Sequence, residues 1–273
     1  MIRICLAGAT GWVGESLVPA IDAAPDLELV GVVARRAEGD RLAQALRLDT
    51  LSDPVANLIV RATVEEALAV PTDVLVDFTA PAAVERHVTI AIDRGVHVVI
   101  GTSGLSDAEY ERIGAAAADA GVGVVAAGNF AITAVLMEHF ALRAARHLAS
   151  WEVIDYGSAD KPDAPSGTAR QLAARIAQVR APAVQVPIEA IQGAPEARGL
   201  TLKGTQVHSV RLPGYVIGAE VLFGMPDERL SIRYESGNSA EPYVGGTLLA
   251  VRRVATFQGL RRGLDTLLDL DSN

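Results

Sequence analysis

Sulfur and aromatic side chains are scarce in this chain of 273 residues, which has one cysteine, three methionines and only 4% Phe, Trp and Tyr. The single Cys5 excludes a disulfide framework and any multi-thiolate metal site within the chain. Positive charge is in deficit too. Lys and Arg number 24 against 33 Asp and Glu, a formal net charge of −9. That argues against non-specific nucleic-acid or anionic-membrane binding. Long apolar runs are missing. The most apolar stretch, Ala120 to Met137, is broken by Gly121, Gly123, Gly128, Asn129 and Thr133, and reads as strand, loop and helix start rather than a membrane span. The N-terminal segment meets a glycine loop too soon for a signal peptide, so a cytoplasmic protein is expected. There are only five histidines. His139 and His147 share one predicted helix at a spacing that does not suit a metal pair, and no metal site is expected.

What is present is a globular composition, with 50% apolar and 21% charged residues. At roughly 150 residues per domain, the length suggests one or two domains. Ile2 to Ala7, Leu27 to Ala34, Val74 to Phe78, Val96 to Ile100 and Gly123 to Ala127 are short apolar strand candidates. Helical patterns lie between them, at Gly11 to Ala24, Ala82 to Arg94 and Asp107 to Ala120. That alternation predicts an α/β fold, a Rossmann-like parallel sheet covered on both faces. The middle of the chain differs. Helices are expected at Ile132 to Leu148 and Thr168 to Arg180, and strands at Val184 to Ile188, Val207 to Arg211, Val216 to Phe223 and Leu230 to Tyr234. Gly246 to Leu268 returns to a helical pattern. We therefore expect a Rossmann-like domain from 1–130 plus 245–273, with an α+β domain, 131–244, inserted in it.

Directly after the first strand comes Gly8-Ala9-Thr10-Gly11-Trp12-Val13-Gly14, a GxxGxxG variant of the dinucleotide fingerprint. A glycine permits the tight turn, a second lets backbone approach a pyrophosphate, and a third lets helix and strand pack closely. The anion then meets free N–H groups and the positive end of the helix dipole. About 20 residues further on, where NAD-selective sites usually carry an acidic residue, stand Arg35 and Arg36. Guanidinium groups suit the 2′-phosphate of NADP, so NADPH is the expected cofactor, with NADH also allowed. Three more loops follow strands: Phe78-Thr79, Gly101-Thr102-Ser103 and Ala127-Gly128-Asn129-Phe130. In an open α/β sheet such loops border the ligand, and these are expected near the nicotinamide.

The segment Lys161-Pro162-Asp163-Ala164-Pro165-Ser166-Gly167-Thr168 leads into a helix. Backbone N–H groups of Gly167 and Thr168, the hydroxyls of Ser166 and Thr168, and the Lys161 ammonium together suit a small-molecule carboxylate. An ordinary helix cap beside a surface lysine is the alternative for the same residues.

The strings GATGWVG, VDFTAP, GTSGLS, AAGNFAI, KPDAPSGTA and VHSVRLPG together resemble the 4-hydroxy-tetrahydrodipicolinate (dihydrodipicolinate) reductase family. KPDAPSGTA is the most specific, and the resemblance covers nearly the whole chain. It implies a tetramer of two-domain subunits, in which the first domain is the dinucleotide-binding domain and 131–244 the substrate-binding and oligomerisation domain; a homodimer is the alternative expectation. It also implies reduction of a cyclic, imine-like dicarboxylate by NADPH or NADH, in lysine and diaminopimelate biosynthesis. Carried onto this sequence, Gly8 to Val13 form the pyrophosphate loop, Arg36 meets the 2′-phosphate and Arg35 occupies the usual acidic position. Gly101 to Ser103 and Ala127 to Phe130 line the nicotinamide side. Gly167 and Thr168 hold a substrate carboxylate. Lys161 is the active-site lysine and the catalytic candidate, an electrostatic group for charge that develops on a C=N acceptor, with Tyr156 and Asp160 the nearest alternative proton donors in sequence. His208, in the VHSVRLPG strand, reads as a structural residue, with a place near the substrate as the alternative. The family carries a His-His pair just before that lysine; counting back without gaps, this chain has Gly157 and Ser158 there, and Ser239 stands where a later basic residue is common. A related imine reductase, an amino-acid dehydrogenase with another substrate, or an inactive nucleotide-sensing homologue are the competing expectations.

Overall fold

A computed structural model describes residues 1–268 and Leu270. Its strands, in chain order, are β1 (Ile2–Ala7), β2 (Leu27–Val33), β3 (Val74–Asp77), β4 (His97–Ile100), β5 (Gly123–Ala126), β6 (Ser150–Gly157), β7 (Leu200–Leu202), β8 (Thr205–Arg211), β9 (Ile217–Met225), β10 (Glu228–Ser236) and β11 (Gly259–Arg262). The helices are α1 (Trp12–Asp22), α2 (Leu42–Leu46), α3 (Asp53–Ala56), α4 (Val64–Ala67), α5 (Pro81–Asp93), α6 (Asp107–Asp119), α7 (Ile132–Ala145), α8 (Gly167–Val179) and α9 (Glu241–Arg253). Two compact units result, one of residues 1–132 with 240–273, the other Thr133–Ser239. Within the C-terminal stretch, positions 269 and 271–273 lie outside the described residues.

The first unit is built on a six-stranded sheet in the order β11-β5-β4-β3-β1-β2, parallel throughout. The reason is visible in the sequence. β3 and β5 are buried at every residue and β4 at all but its first, as strands covered on both faces must be. Each fully buried Val or Ile there contributes about 1.5–3 kcal/mol. α5 and α6 pack together, while α1 packs against α9. Pro81 opens α5 at a position where no N–H is needed, and Ser106 with Glu109 forms a capping box on α6. Chain order reverses at β1, whose neighbours are β2 on one side and β3 on the other. The carboxyl ends of β1 and β3, where the order reverses, are the usual ligand position in such sheets.

The second unit carries a mixed five-stranded sheet, β10-β9-β6-β8-β7. β6 pairs parallel with β8 and the remaining pairs are antiparallel. α8 packs its buried Leu172, Ala173 and Ile176 on β6 and β8. Val153, Val207 and Val221 are buried between them, and the Trp151 indole N–H donates to Thr205 Oγ1 at 3.1 Å.

Three expectations need correction. The helix expected over Gly246 to Leu268 ends at Arg253, and Gly259–Arg262 forms β11, pairing with β5. Gly259 sits at φ +79, a left-handed turn that starts the strand. Val184 to Ile188 is not a strand. Pro187 lies within it and lacks the N–H a ladder needs, and Val184 and Val186 are about half exposed. The central strand of the second sheet, β6, has no counterpart among the expected strands. Its apolar alternation is interrupted by Glu152 and Asp155, and Asp155 is fully buried.

Candidate active site in two halves

In the first unit the glycine loop closes tightly on the sheet. The N–H groups of Gly8 and Ala9 donate to Val33 O at 2.9 and 3.2 Å, and Gly11 N–H donates to Gly8 O at 2.9 Å. Gly8 has φ +88, and a Cβ there would lie 2.4 Å from Phe78 O. A Cβ on Gly14 would lie 2.2 Å from Gly8 O. Only glycine lets α1 start so close to the loop. Gly11 is the N-cap of α1 and no side chain caps it, so the first N–H groups of the helix are available to an anion. Trp12 is exposed at that helix start, its ring 5.6 Å from Tyr243 in an edge-to-face contact. Arg35 and Arg36 lie exposed on a short 3₁₀ turn after β2. These features fit a dinucleotide.

The loops after β3 and β4 are tied together by Asp77, a residue not singled out from sequence. It is fully buried. Its Oδ1 accepts from Thr79 N–H at 2.9 Å, Thr79 Oγ1 at 2.7 Å and Thr102 Oγ1 at 3.1 Å. Its Oδ2 lies 2.7 Å from His87 Nδ1. A buried carboxylate is tolerated because it is this fully bonded. Phe78 meets Phe130 edge to face at 5.7 Å, and Asn129 Oδ1 accepts from Ala131 N–H at 2.8 Å. The segments Phe78-Thr79, Gly101 to Ser103 and Ala127 to Phe130 thus share the carboxyl edge of one sheet. Burial pushes the Cys5 thiol up to about 12, which removes it as a thiolate nucleophile.

The second unit places the lysine turn at the carboxyl end of β6. Lys161 Nζ lies 2.9 Å from Asp163 Oδ1. That hydrogen bond holds the Asp163 carboxyl below the usual range. Ser166 is buried and committed: its N–H and Oγ donate to Asp155 at 2.8 and 2.6 Å, and its Oγ also caps Ala169 N–H at 3.2 Å. Gly167 and Thr168 begin α8, with N–H groups that lack an intrahelical partner. Asp155 is fully buried and also accepts from Ser209 Oγ at 3.2 Å and Arg211 Nη2 at 2.7 Å. Gly157 is buried beside Lys161, while Ser158 is only partly so.

Neither alternative donor fits. Tyr156 points to the sheet face opposite Asp155, since neighbouring strand residues alternate. Its hydroxyl donates to Glu220 Oε2 at 2.7 Å, and burial, then that bond, pushes it up to about 12. Ser158 holds the Asp160 carboxyl below its ordinary value. His208 lies on the Tyr156 face as well, 2.7 Å from Glu152 Oε2, so the structure does not bring it to the lysine turn. A cleft of about 920 Å³ in this unit is lined by Trp151, Glu152, Pro182, Gln206 and Arg229. It sits at the amino end of β6, away from Lys161.

Comparison with known proteins gives concordant results. The family model "Dihydrodipicolinate reductase, N-terminus" matches residues 2–130, and "Dihydrodipicolinate reductase, C-terminus" matches 133–268. The 4-hydroxy-tetrahydrodipicolinate reductase of Halalkalibacterium halodurans is 38% identical over 269 residues, covering 98% of this chain and 100% of that protein. The protein of the same name from Mycolicibacterium vanbaalenii is 39% identical over 271 residues, with 98% and 100% covered. A dipicolinate-bound dihydrodipicolinate reductase from Paenisporosarcina sp. TG-14 superposes with TM-score 0.87 at 32% identity, covering 98% of this chain and all of the other. An amine dehydrogenase from Mycobacterium smegmatis, at TM-score 0.67 and 15% identity, shares the fold.

Proposed function

The chain belongs to the dihydrodipicolinate reductase family, and from that premise we propose that it is an NAD(P)H-dependent reductase of a cyclic, imine-like dicarboxylate in lysine and diaminopimelate biosynthesis. The observation that carries this reading is the lysine turn. Lys161 and the open N–H groups of Gly167 and Thr168 stand on one rigid segment, anchored by buried Asp155. Full-length relatives at 35–39% identity support this substrate class over another imine reductase, an amino-acid dehydrogenase or a nucleotide sensor.

The first unit binds the cofactor. The loop Gly8, Ala9, Thr10, Gly11, Trp12 and Val13 takes the pyrophosphate on the α1 N-terminus. Arg35 and Arg36 attract the 2′-phosphate, which makes NADPH the preferred form and leaves NADH usable. Phe78, Thr79, Gly101, Thr102, Ser103, Ala127, Gly128, Asn129 and Phe130 flank the nicotinamide half, held in place by Asp77. When bound, the nicotinamide supplies a hydride.

The second unit holds the acid. Gly167 and Thr168 N–H groups bind one carboxylate, and Ser166 orients them. Lys161 offsets the negative charge of the bound dicarboxylate. Because Tyr156 and Asp160 are committed elsewhere, the acceptor enters as an iminium that needs no side-chain proton, and Lys161 acts electrostatically. The sheet face opposite α8 carries Ile154, Val210 and the 37%-exposed Leu222. In this reading a further copy of the chain covers it, giving a homotetramer or a homodimer. Among the described residues no helix is long and apolar enough to cross a membrane, in keeping with a cytoplasmic enzyme. The test is NADPH oxidation with the cyclic imine generated in situ. Turnover above the substrate-free rate is expected; no turnover with that acid, but turnover with an uncharged cyclic imine, would overturn the assignment.

A further inference from the structure

We propose that Arg211 is a positioning residue for the lysine turn, and that the bare backbone at Gly157 is what admits it. This deepens the reading above and rests on it. Arg211 ends β8 and stands opposite Gly157, the last residue of β6. Its side chain is 15% exposed. Nη2 donates to Asp155 Oδ2 at 2.7 Å and to Asp163 O at 2.6 Å, and Nη1 donates to Asp155 O at 3.2 Å and Val210 O at 2.9 Å. The guanidinium therefore ties the strand to the turn at the residue between Lys161 and Ser166. The same Asp163 is held through its backbone by Arg211 and through its carboxylate by Lys161. The same Asp155 that pairs with Arg211 takes both donors of Ser166. One bonded relay thus fixes the Lys161 ammonium and the first turn of α8.

Gly157 completes the arrangement. A Cβ there would lie 3.0 Å from Lys161 Cδ and 3.1 Å from Arg211 Cζ and Nε. Lys161 and Arg211 both close against backbone that no other residue offers. A methyl group must push one of them back by a few tenths of an ångström, and a branched side chain must displace it. Arg211 need not touch substrate. Its effect passes through the Lys161 ammonium and the Gly167 and Thr168 N–H groups, whose placement a bound carboxylate reads; a displacement near 1 Å at such a site costs about 100-fold. Lysine cannot replace Arg211, because a single ammonium lacks the planar fork that spans Asp155 and Asp163 O.

The experiment uses the full-length enzyme with Arg211→Lys, Gly157→Ala and Gly157→Val. NADPH oxidation with the cyclic imine gives kcat and KM, and calorimetry gives Kd for dipicolinate and for NADPH. Arg211→Lys and Gly157→Val are expected to raise the KM for the imine and the Kd for dipicolinate at least tenfold. The kcat falls less, and the NADPH Kd stays within twofold. Gly157→Ala, the variant least able to disturb folding, falls between them and the parent. Imine KM and dipicolinate Kd within twofold of the parent in folded Arg211→Lys and Gly157→Ala would overturn the proposal while leaving the reductase reading intact. A parent that turns over no cyclic imine would overturn the reductase reading, and this inference with it.

Discussion

Removal of the Asp77 carboxylate tests how the first unit shapes its loops. Asp77 is fully buried and serves Thr79 N–H, the Thr79 and Thr102 hydroxyls and His87. In Asp77→Ala the Thr79 N–H loses its acceptor inside the protein, and the hydroxyl of buried Thr102 keeps only its longer 3.4 Å bond to Asp77 O. Orphaned buried donors cost about 1–3 kcal/mol each. With the weakened Thr102 bond and the small cavity added, the loss comes to about 2–4 kcal/mol, a large share of an ordinary domain stability of about 5–15 kcal/mol. Asp77→Asn keeps an oxygen for the three donors and an N–H₂ that can donate to the His87 ring, so about 1–2 kcal/mol is expected. Urea unfolding measures both. The loops that carry Phe78-Thr79 and Gly101 to Ser103 lose their common anchor, so the NADPH Kd of Asp77→Ala rises at least tenfold. An Asp77→Ala protein within 1 kcal/mol of the parent, with unchanged NADPH affinity, would refute the reasoning.

Other perturbations separate the two halves. Arg36→Ala should weaken NADPH about tenfold, roughly 1.4 kcal/mol for an exposed charge-assisted contact, and leave NADH within twofold; equal effects on both cofactors would remove the 2′-phosphate role. Lys161→Ala should lower kcat/KM for the imine at least 100-fold without changing the NADPH Kd, and an unchanged kcat/KM would take Lys161 out of the mechanism. Burial lowers the pKa of His97, whose Nδ1 accepts from Gly123 N–H at 2.9 Å. A depressed folded pKa means its stabilisation is complete above the unfolded value of about 6.5 and is lost as pH falls through the folded value. The parent should therefore lose stability as pH falls below about 6.5 in a way that His97→Gln does not, as read by urea midpoints at successive pH values; parallel profiles would contradict it.

The parallel sheet was legible because its strands are buried on both faces. VLVD, HVVI and GVVA are short apolar runs with helical patterns between them, and no other arrangement hides them as well. The glycine loop was legible for a local reason, since Gly8 and Gly14 answer to backbone atoms within a few residues or one strand away. β6 was not. Its inward position 155 is a carboxylate, and what makes that tolerable, Arg211 and Ser166, lies 56 and 11 residues away. β11 was hidden for a similar reason, because pairing with β5 overrides a continuing helical pattern after Arg253. Asp77 was quoted within VDFTAP yet its role depends on Thr102 and His87, which only the folded sheet brings to it. Strand alternation turns His208 to the face away from Asp155, where it meets Glu152.

The most direct measurement follows the fate of a label. The enzyme is given the cyclic imine dicarboxylate and NADPH carrying deuterium at the transferable position of nicotinamide C4, and the reduced acid is weighed by mass spectrometry. The account predicts one deuterium in the product for each NADPH consumed, and an equal yield in water of either isotopic composition. An unlabelled product, or labelled cofactor left unconsumed with the acid unchanged, would contradict it.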